Sequence, residues 1–247
     1  MANPNYRRMD RATEGLVDDE PAFQPGMPVR SYLPNQYVHS YAYPLLVLFH
    51  GRGSNEEQVL KLAPRVSDQN FVYLSLRGPE QLGTRRKSGE KAFGWSHENP
   101  DDMFGEYVKL SVQLARATYH IHSERIFLLG VREGVEAAYR AAFCLGDKVA
   151  GVIALNGTMP RPSEGKPVFR MNDVRHMKIF QAHGTELATL PQADRDYRAL
   201  YGAGADVEQR RYETGRNITK PMLTDVNKWL ISRLNAEHDL YVDRDEE

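Results

Sequence analysis

Five residues, Gly130-Val131-Arg132-Glu133-Gly134, have the form of a turn built for acyl transfer but lack the reactive atom. In the pattern G-x-S-x-G a serine sits on a tight strand-to-helix turn, flanked by glycines because a β-carbon there would collide with neighbouring backbone. Both glycines are present, and Arg132 stands where the serine would be. The preceding Arg125-Ile126-Phe127-Leu128-Leu129 is a short, mostly apolar run, and Val135, Ala138, Ala142 and Leu145 afterwards repeat at helical spacing. A second turn, His50-Gly51-Arg52-Gly53, ends the apolar run from Pro44 and is rich enough in glycine to expose backbone N–H groups. In acyl transfer such a turn supplies one oxyanion-hole donor and the residue after the nucleophile supplies the other. The corresponding amides here are those of Arg52 and Glu133, and His50 is read as a structural histidine holding the turn.

Other reactive side chains lack partners in the pattern. Cys144 falls within the apolar repeat of the helix after the turn and reads as packed core. Ser54 and Ser96 have no recognisable base, and His97 is the one histidine placed to approach the turn from elsewhere. The His120-x-His122 pair has no cysteine or third histidine at ligand spacing, so it reads as a surface turn before a strand and no metal site is expected.

Elements that would position these residues alternate along the chain. Apolar runs at Leu45 to His50, Phe71 to Leu76, Arg125 to Leu129, Val149 to Leu155, Lys178 to Ala182 and Asp206 to Tyr212 read as strands, several of them buried on both faces. Phe104, Val108, Val112, Ala115 and Tyr119 predict a helix started by Asp101 and Asp102. Met222, Val226, Trp229, Leu230 and Leu234 predict a last helix with Pro221 in its first turn. This is the α/β pattern of a mostly parallel sheet with helices on both faces. In such a sheet, ligands bind beyond the carboxyl ends of the strands, where His50-Gly51, the Arg132 turn, His183-Gly184 and Gly215 should converge.

In this order the segments resemble the phospholipase/carboxylesterase family of α/β-hydrolases, which includes acyl-protein thioesterases. The resemblance spans about 30 to 235 and rests on Tyr43-Pro-Leu-Leu-Val-Leu-Phe-His-Gly-Arg-Gly53, Leu76-Arg-Gly-Pro79, the Trp95-containing loop Phe93-Gly-Trp-Ser96, Arg125 to Gly134, His183 to Pro191, Tyr212 to Ile218 and the helix from Thr219 to Leu230. It implies an α/β-hydrolase fold and a pocket near His50, Gly51, Trp95 and Glu186. Carried over by position, the triad is absent: Arg132 replaces the serine, Leu187 the acid and Arg216 the histidine. Arginine is permanently charged with no lone pair to offer, and leucine has no polar atom, so none of the three roles is filled in place. Glu186 adjoins the acid position, but no histidine stands at the base position for it to orient.

Composition bounds the rest. With 32 basic and 33 acidic residues among 247, and a formal net charge of −1, no overall field draws the chain to nucleic acid or an anionic membrane. The single cysteine forms no intrachain disulfide, and no apolar stretch is long enough to span a bilayer; a cytoplasmic setting is the default expectation. Residues 1–27 read as a disordered polar arm, 28–235 as one domain and 236–247 as a polar acidic tail. The expectation is a catalytically degenerate homologue, without cofactor, that binds a small carboxylate or phosphate or a protein partner, which includes a second copy of itself. The rival expectations are an active ester hydrolase with relocated catalytic residues and a structural subunit whose pocket is filled. For the two arginines, the alternatives are an anion receptor or an internal Arg–Glu network that plugs the site.

Overall fold

The computed structural model describes residues 15–17, 28–85, 88–161 and 168–242. Its centre is an eight-stranded sheet in the order β1-β2-β4-β3-β7-β8-β9-β10. The strands are β1 (Gly15–Val17), β2 (Val29–Leu33), β3 (Tyr43–Phe49), β4 (Val72–Leu76), β7 (Ile121–Val131), β8 (Gly151–Leu155), β9 (Lys178–Gly184) and β10 (Asp206–Tyr212). From β4 to β10 every neighbouring pair is parallel, and β1 and β2 join antiparallel at one edge. A separate antiparallel hairpin, β5 (Glu80–Thr84) and β6 (Lys91–Gly94), follows β4.

The alternation of a strand decides which layer each side chain joins. On β3, Leu45, Val47 and Phe49 belong to the core layer that also takes in α3 (Pro100–Thr118), α4 (Gly134–Leu145) and α6 (Leu190–Gly202). Leu46 and Leu48 point the other way, toward α1 (Glu56–Leu60), α2 (Ala63–Val66) and α7 (Lys220–Val242). A short α5 (Met171–Val174) precedes β9. Burying each such side chain contributes about 1.5–3 kcal/mol, which is why a run with no polar alternation is held in the middle of the sheet.

Several expectations change. The sheet is wider than the six runs indicated: β2 was missed, and of segment 1–27 the residues Gly15–Val17 form an edge strand while the remainder lies outside the described residues. β7 starts at Ile121, so His122 belongs to the strand rather than to a turn before it. Cys144 is exposed, not core; it faces Gly105 of α3, where a β-carbon would meet its Sγ at 2.4 Å. Asp101 and Asp102 lie inside the first turn of α3, which begins at Asn99 and Pro100. α7 continues to Val242, into the segment read as a tail, and 243–247 lie outside the described residues.

Candidate functional site

The turn between β7 and α4 has the geometry its glycines imply. A β-carbon on Gly134 would meet the carbonyl oxygens of Phe49 and His50 at 2.4 and 2.5 Å, and one on Gly130 would meet Val135 Cα at 2.4 Å. Between them Arg132 is held at φ 55°, in the left-handed region. A non-glycine residue there costs roughly 1–2 kcal/mol, a strain typical of sites where a side chain must stand clear of the sheet. The Arg132 N–H is bonded to Leu155 O at 2.8 Å and its carbonyl accepts from Val135 N–H at 3.0 Å, so backbone bonds fix the turn on both sides.

The Arg132 side chain reaches across the strand ends, and its Nη2 donates to the backbone carbonyl of Arg216 at 2.9 Å. Its Nε is buried and has no hydrogen-bond partner among the described residues. Arg132, Leu187 and Arg216, the positions the sequence resemblance matches to a triad, together line a cleft of about 450 Å³ at the carboxyl ends of the strands. Glu186 shares that cleft, its carboxylate over the backbone of Gly215, where a β-carbon would come within 3.1 Å of Oε2. Among the described residues, neither arginine forms an ion pair with Glu133 or Glu186. Of the two alternatives, the Arg–Glu network is not formed among the described residues; Nη2 of Arg132 bonds a neutral carbonyl instead.

Glu133 is occupied elsewhere. Its Oε2 accepts the backbone N–H of Arg52 at 2.6 Å, so the amide expected to serve as an oxyanion donor already holds a carboxylate of the same chain. The Glu133 N–H makes no hydrogen bond among the described residues. The Arg52 side chain turns away into a forked pair with Glu80, at 2.9 and 3.1 Å. Beyond Glu133 lies a second cavity of about 370 Å³, lined by Trp95, Ser96, His97 and the paired cations Arg52 and Arg140. Trp95 and His97 thus face this neighbouring space and not the Arg132 cleft.

His50 lines neither cavity, contrary to its expected place in the pocket, because it is fully buried behind the turn. Its Nε2 accepts the Gly78 N–H at 2.9 Å and its Nδ1 faces Gly51 O at 2.9 Å, an arrangement that requires the neutral Nδ1–H tautomer. Burial, opposed by the bond to Gly51, lowers its pKa. Trp95 Nε1 donates to His50 O at 2.6 Å, so both residues brace the turn. Gly51 packs on the elbow, where a β-carbon would lie 3.3 Å from Val131 O.

Asn156, absent from the sequence-based candidates, ties the strand ends together. At φ 56° after β8, its Oδ1 accepts from Gly184 N–H at 2.9 Å and its Nδ2 donates to Asn217 O at 3.4 Å. The Asn156-Gly157 pair after an apolar run was the available signal, since asparagine and glycine are the residues that tolerate left-handed turns. No group of three or more histidine, cysteine, aspartate or glutamate side chains among the described residues is arranged to hold a metal ion. No described helix is long and apolar enough to cross a membrane.

A profile of the phospholipase/carboxylesterase family matches residues 38–233. An uncharacterized hydrolase of Schizosaccharomyces pombe is 26% identical over 129 residues, which are 47% of this chain and 54% of that protein, so the chain matches about half the length of this curated relative. Among solved structures, the Bacillus cereus carboxylesterase superposes with a TM-score of 0.65 at 20% identity, covering 85% of this chain and 96% of its own. Zea mays acyl-protein thioesterase 2 gives 0.62 at 17% identity, over 83% and 98%. YahD, solved with malic acid, gives 0.55 at 19% identity, over 77% and 93%. These structural likenesses establish the α/β-hydrolase fold. Because the matched stretch runs from just before β3 into α7 and takes in the entire parallel part of the sheet, the chain belongs to the phospholipase/carboxylesterase family.

Proposed function

We propose that this family member does not hydrolyse esters through a serine triad and instead binds a small carboxylate in the cleft between Arg132 and Arg216. The observation that carries this reading is Arg132 itself: it occupies the strained elbow position, and its buried Nε has no partner among the described residues. A serine esterase needs a nucleophile, a base and a carboxylate orienting the base. Arginine, leucine and arginine at those positions offer no transferable proton acceptor near neutral pH. A half-buried guanidinium that lines the cleft and is bonded only to a neutral carbonyl is, by contrast, suited to a charge-assisted bond with a carboxylate. The fold relative YahD with malic acid is a carboxylic-acid complex and agrees with this chemistry at the level of fold.

The second reading, an active carboxylic ester hydrolase with relocated residues, draws on Ser96 and His97 beside Glu133. Two measurements separate them. Incubation with a fluorophosphonate probe is expected to leave the protein unlabelled, and hydrolysis of short-chain nitrophenyl esters is expected to stay near background. Backbone donors alone can leave a residue of catalysis of ~10³ over water, so the assay must resolve that level. Stoichiometric serine labelling, or turnover of about 1 per second, would establish the second reading. Calorimetric titration with small carboxylates is expected to give binding that weakens with salt and disappears in Arg132→Ala.

A further inference from the structure

The charges of the cleft point to the class of carboxylate it takes. Glu136, at the edge of the cleft, is paired with Arg140 at 2.9 Å and contributes no free charge. That leaves Arg132 and Arg216 as cations without ion-pair partners among the described residues, against the carboxylates of Glu133 and Glu186. Glu133 is hydrogen-bonded to a neutral N–H, and Glu186 to no cation. The free charges therefore balance, and no ion pair among the described residues joins them. A dianionic phosphate would be drawn to the arginines but repelled by two fixed carboxylates, whereas a net-neutral ligand with one charge of each sign satisfies both sides.

We infer that the ligand is an α-amino-acid-type zwitterion, its carboxylate on Arg132 and Arg216 and its ammonium on Glu186. This rests on the carboxylate-binding reading above and adds the second charge to it. Leu187 is the apolar part of the wall and gives room for an aliphatic side chain; a cleft of about 450 Å³ lies within the range of small-molecule sites, roughly 300–1,000 Å³. Asn156, held at φ 56° by its strand-end bonds, supplies a rigid floor.

Calorimetry with three probes of one shape tests the inference: L-leucine, 4-methylpentanoate, which lacks the ammonium, and 3-methylbutylamine, which lacks the carboxylate. The expected order is leucine tightest, the acid weaker and the amine undetectable. Since Glu186 is exposed, the ammonium contact is expected to improve affinity by no more than about fivefold. In Glu186→Gln, leucine and the acid should bind alike, and Arg216→Gln should weaken both. If the acid binds as well as leucine in the unaltered protein, or if Glu186→Gln leaves their ratio unchanged, the zwitterion inference is overturned while carboxylate binding stands. If none of the three binds, both fall together.

Discussion

At the scale of single residues, the elbow separates what a backbone needs from what a reaction needs. Gly130 and Gly134 are fixed by contacts of a β-carbon with backbone atoms at 2.4 Å, and those demands persist whatever side chain stands between them. This is why the turn was legible from five letters although an arginine stands at its centre. Gly134→Ala is expected to destabilise the protein by about 3 kcal/mol in urea unfolding, because the atoms it meets are carbonyl oxygens of β3 and the turn after it, which cannot rotate away. A loss below about 1 kcal/mol would mean the close approach is not present in solution. Arg132→Ser with Leu187→Asp and Arg216→His should together give measurable esterase activity, and each alone almost none, since triad members act as a unit. A folded but inactive triple variant would show that the cleft geometry has drifted from that of a working esterase. What no residue pattern could reveal was the Glu133 carboxylate on the Arg52 N–H, a contact across 81 positions that depends on the exact spacing of two loops.

At the scale of elements, strands buried on both faces read clearly because β3 and β8 are apolar runs and β4 is interrupted only by Ser75. The missed β2, VRSYL, alternates buried and half-buried side chains and lies between prolines, so its short run inside the 28–235 domain was not read as a strand. Its place in the sheet depends on an ion-pair cluster that spacing alone did not indicate. Glu56, in the first turn of α1 and 1% exposed, accepts from Arg77 just past β4, with its Oε2 at 2.9 Å from Arg77 Nε, and lies 3.7 Å from Arg30 of β2. One carboxylate thus joins a helix to two strands, and the helix N-terminus adds favourable potential. Glu56→Ala takes from Arg77 the carboxylate it is paired with, whereas Arg30 keeps Glu57 at 2.7 Å. A loss of about 3 kcal/mol is expected, the lower end for a broken buried pair because both arginines are partly exposed. Restoring most of that stability in Glu56→Ala by adding Arg77→Met would show that the uncompensated charge, and not lost packing of α1, is responsible; a double variant no more stable than the single would argue for packing.

For the molecule as a whole, histidines buried in their neutral form contribute to the loss of stability on the acid side. His183, near the end of β9, is 1% exposed, and its Nε2 has no hydrogen-bond partner among the described residues. Burial lowers its pKa from 6.5 to about 4, with Asp194 opposing the shift and Arg211 adding to it. His50 shifts in the same direction, and protonating its Nε2 would also break the bond it accepts from Gly78. The unfolded chain takes up a proton at each of these positions before the folded chain does, so the unfolded state binds more protons below pH 6.5. Stability is accordingly complete above about pH 6.5, declines as the pH falls toward 4, and loses no more from His183 below that value. The shift corresponds to at most about 3 kcal/mol for His183, with a slope approaching 1.4 kcal/mol per pH unit in mid-range. Urea unfolding between pH 5 and 6.5, where most carboxylates remain ionised in both states, isolates this contribution. His183→Leu should remove about one proton's worth of slope in that window while leaving the His50 part, and an unchanged slope would mean that His183 is protonated or hydrated in the folded protein.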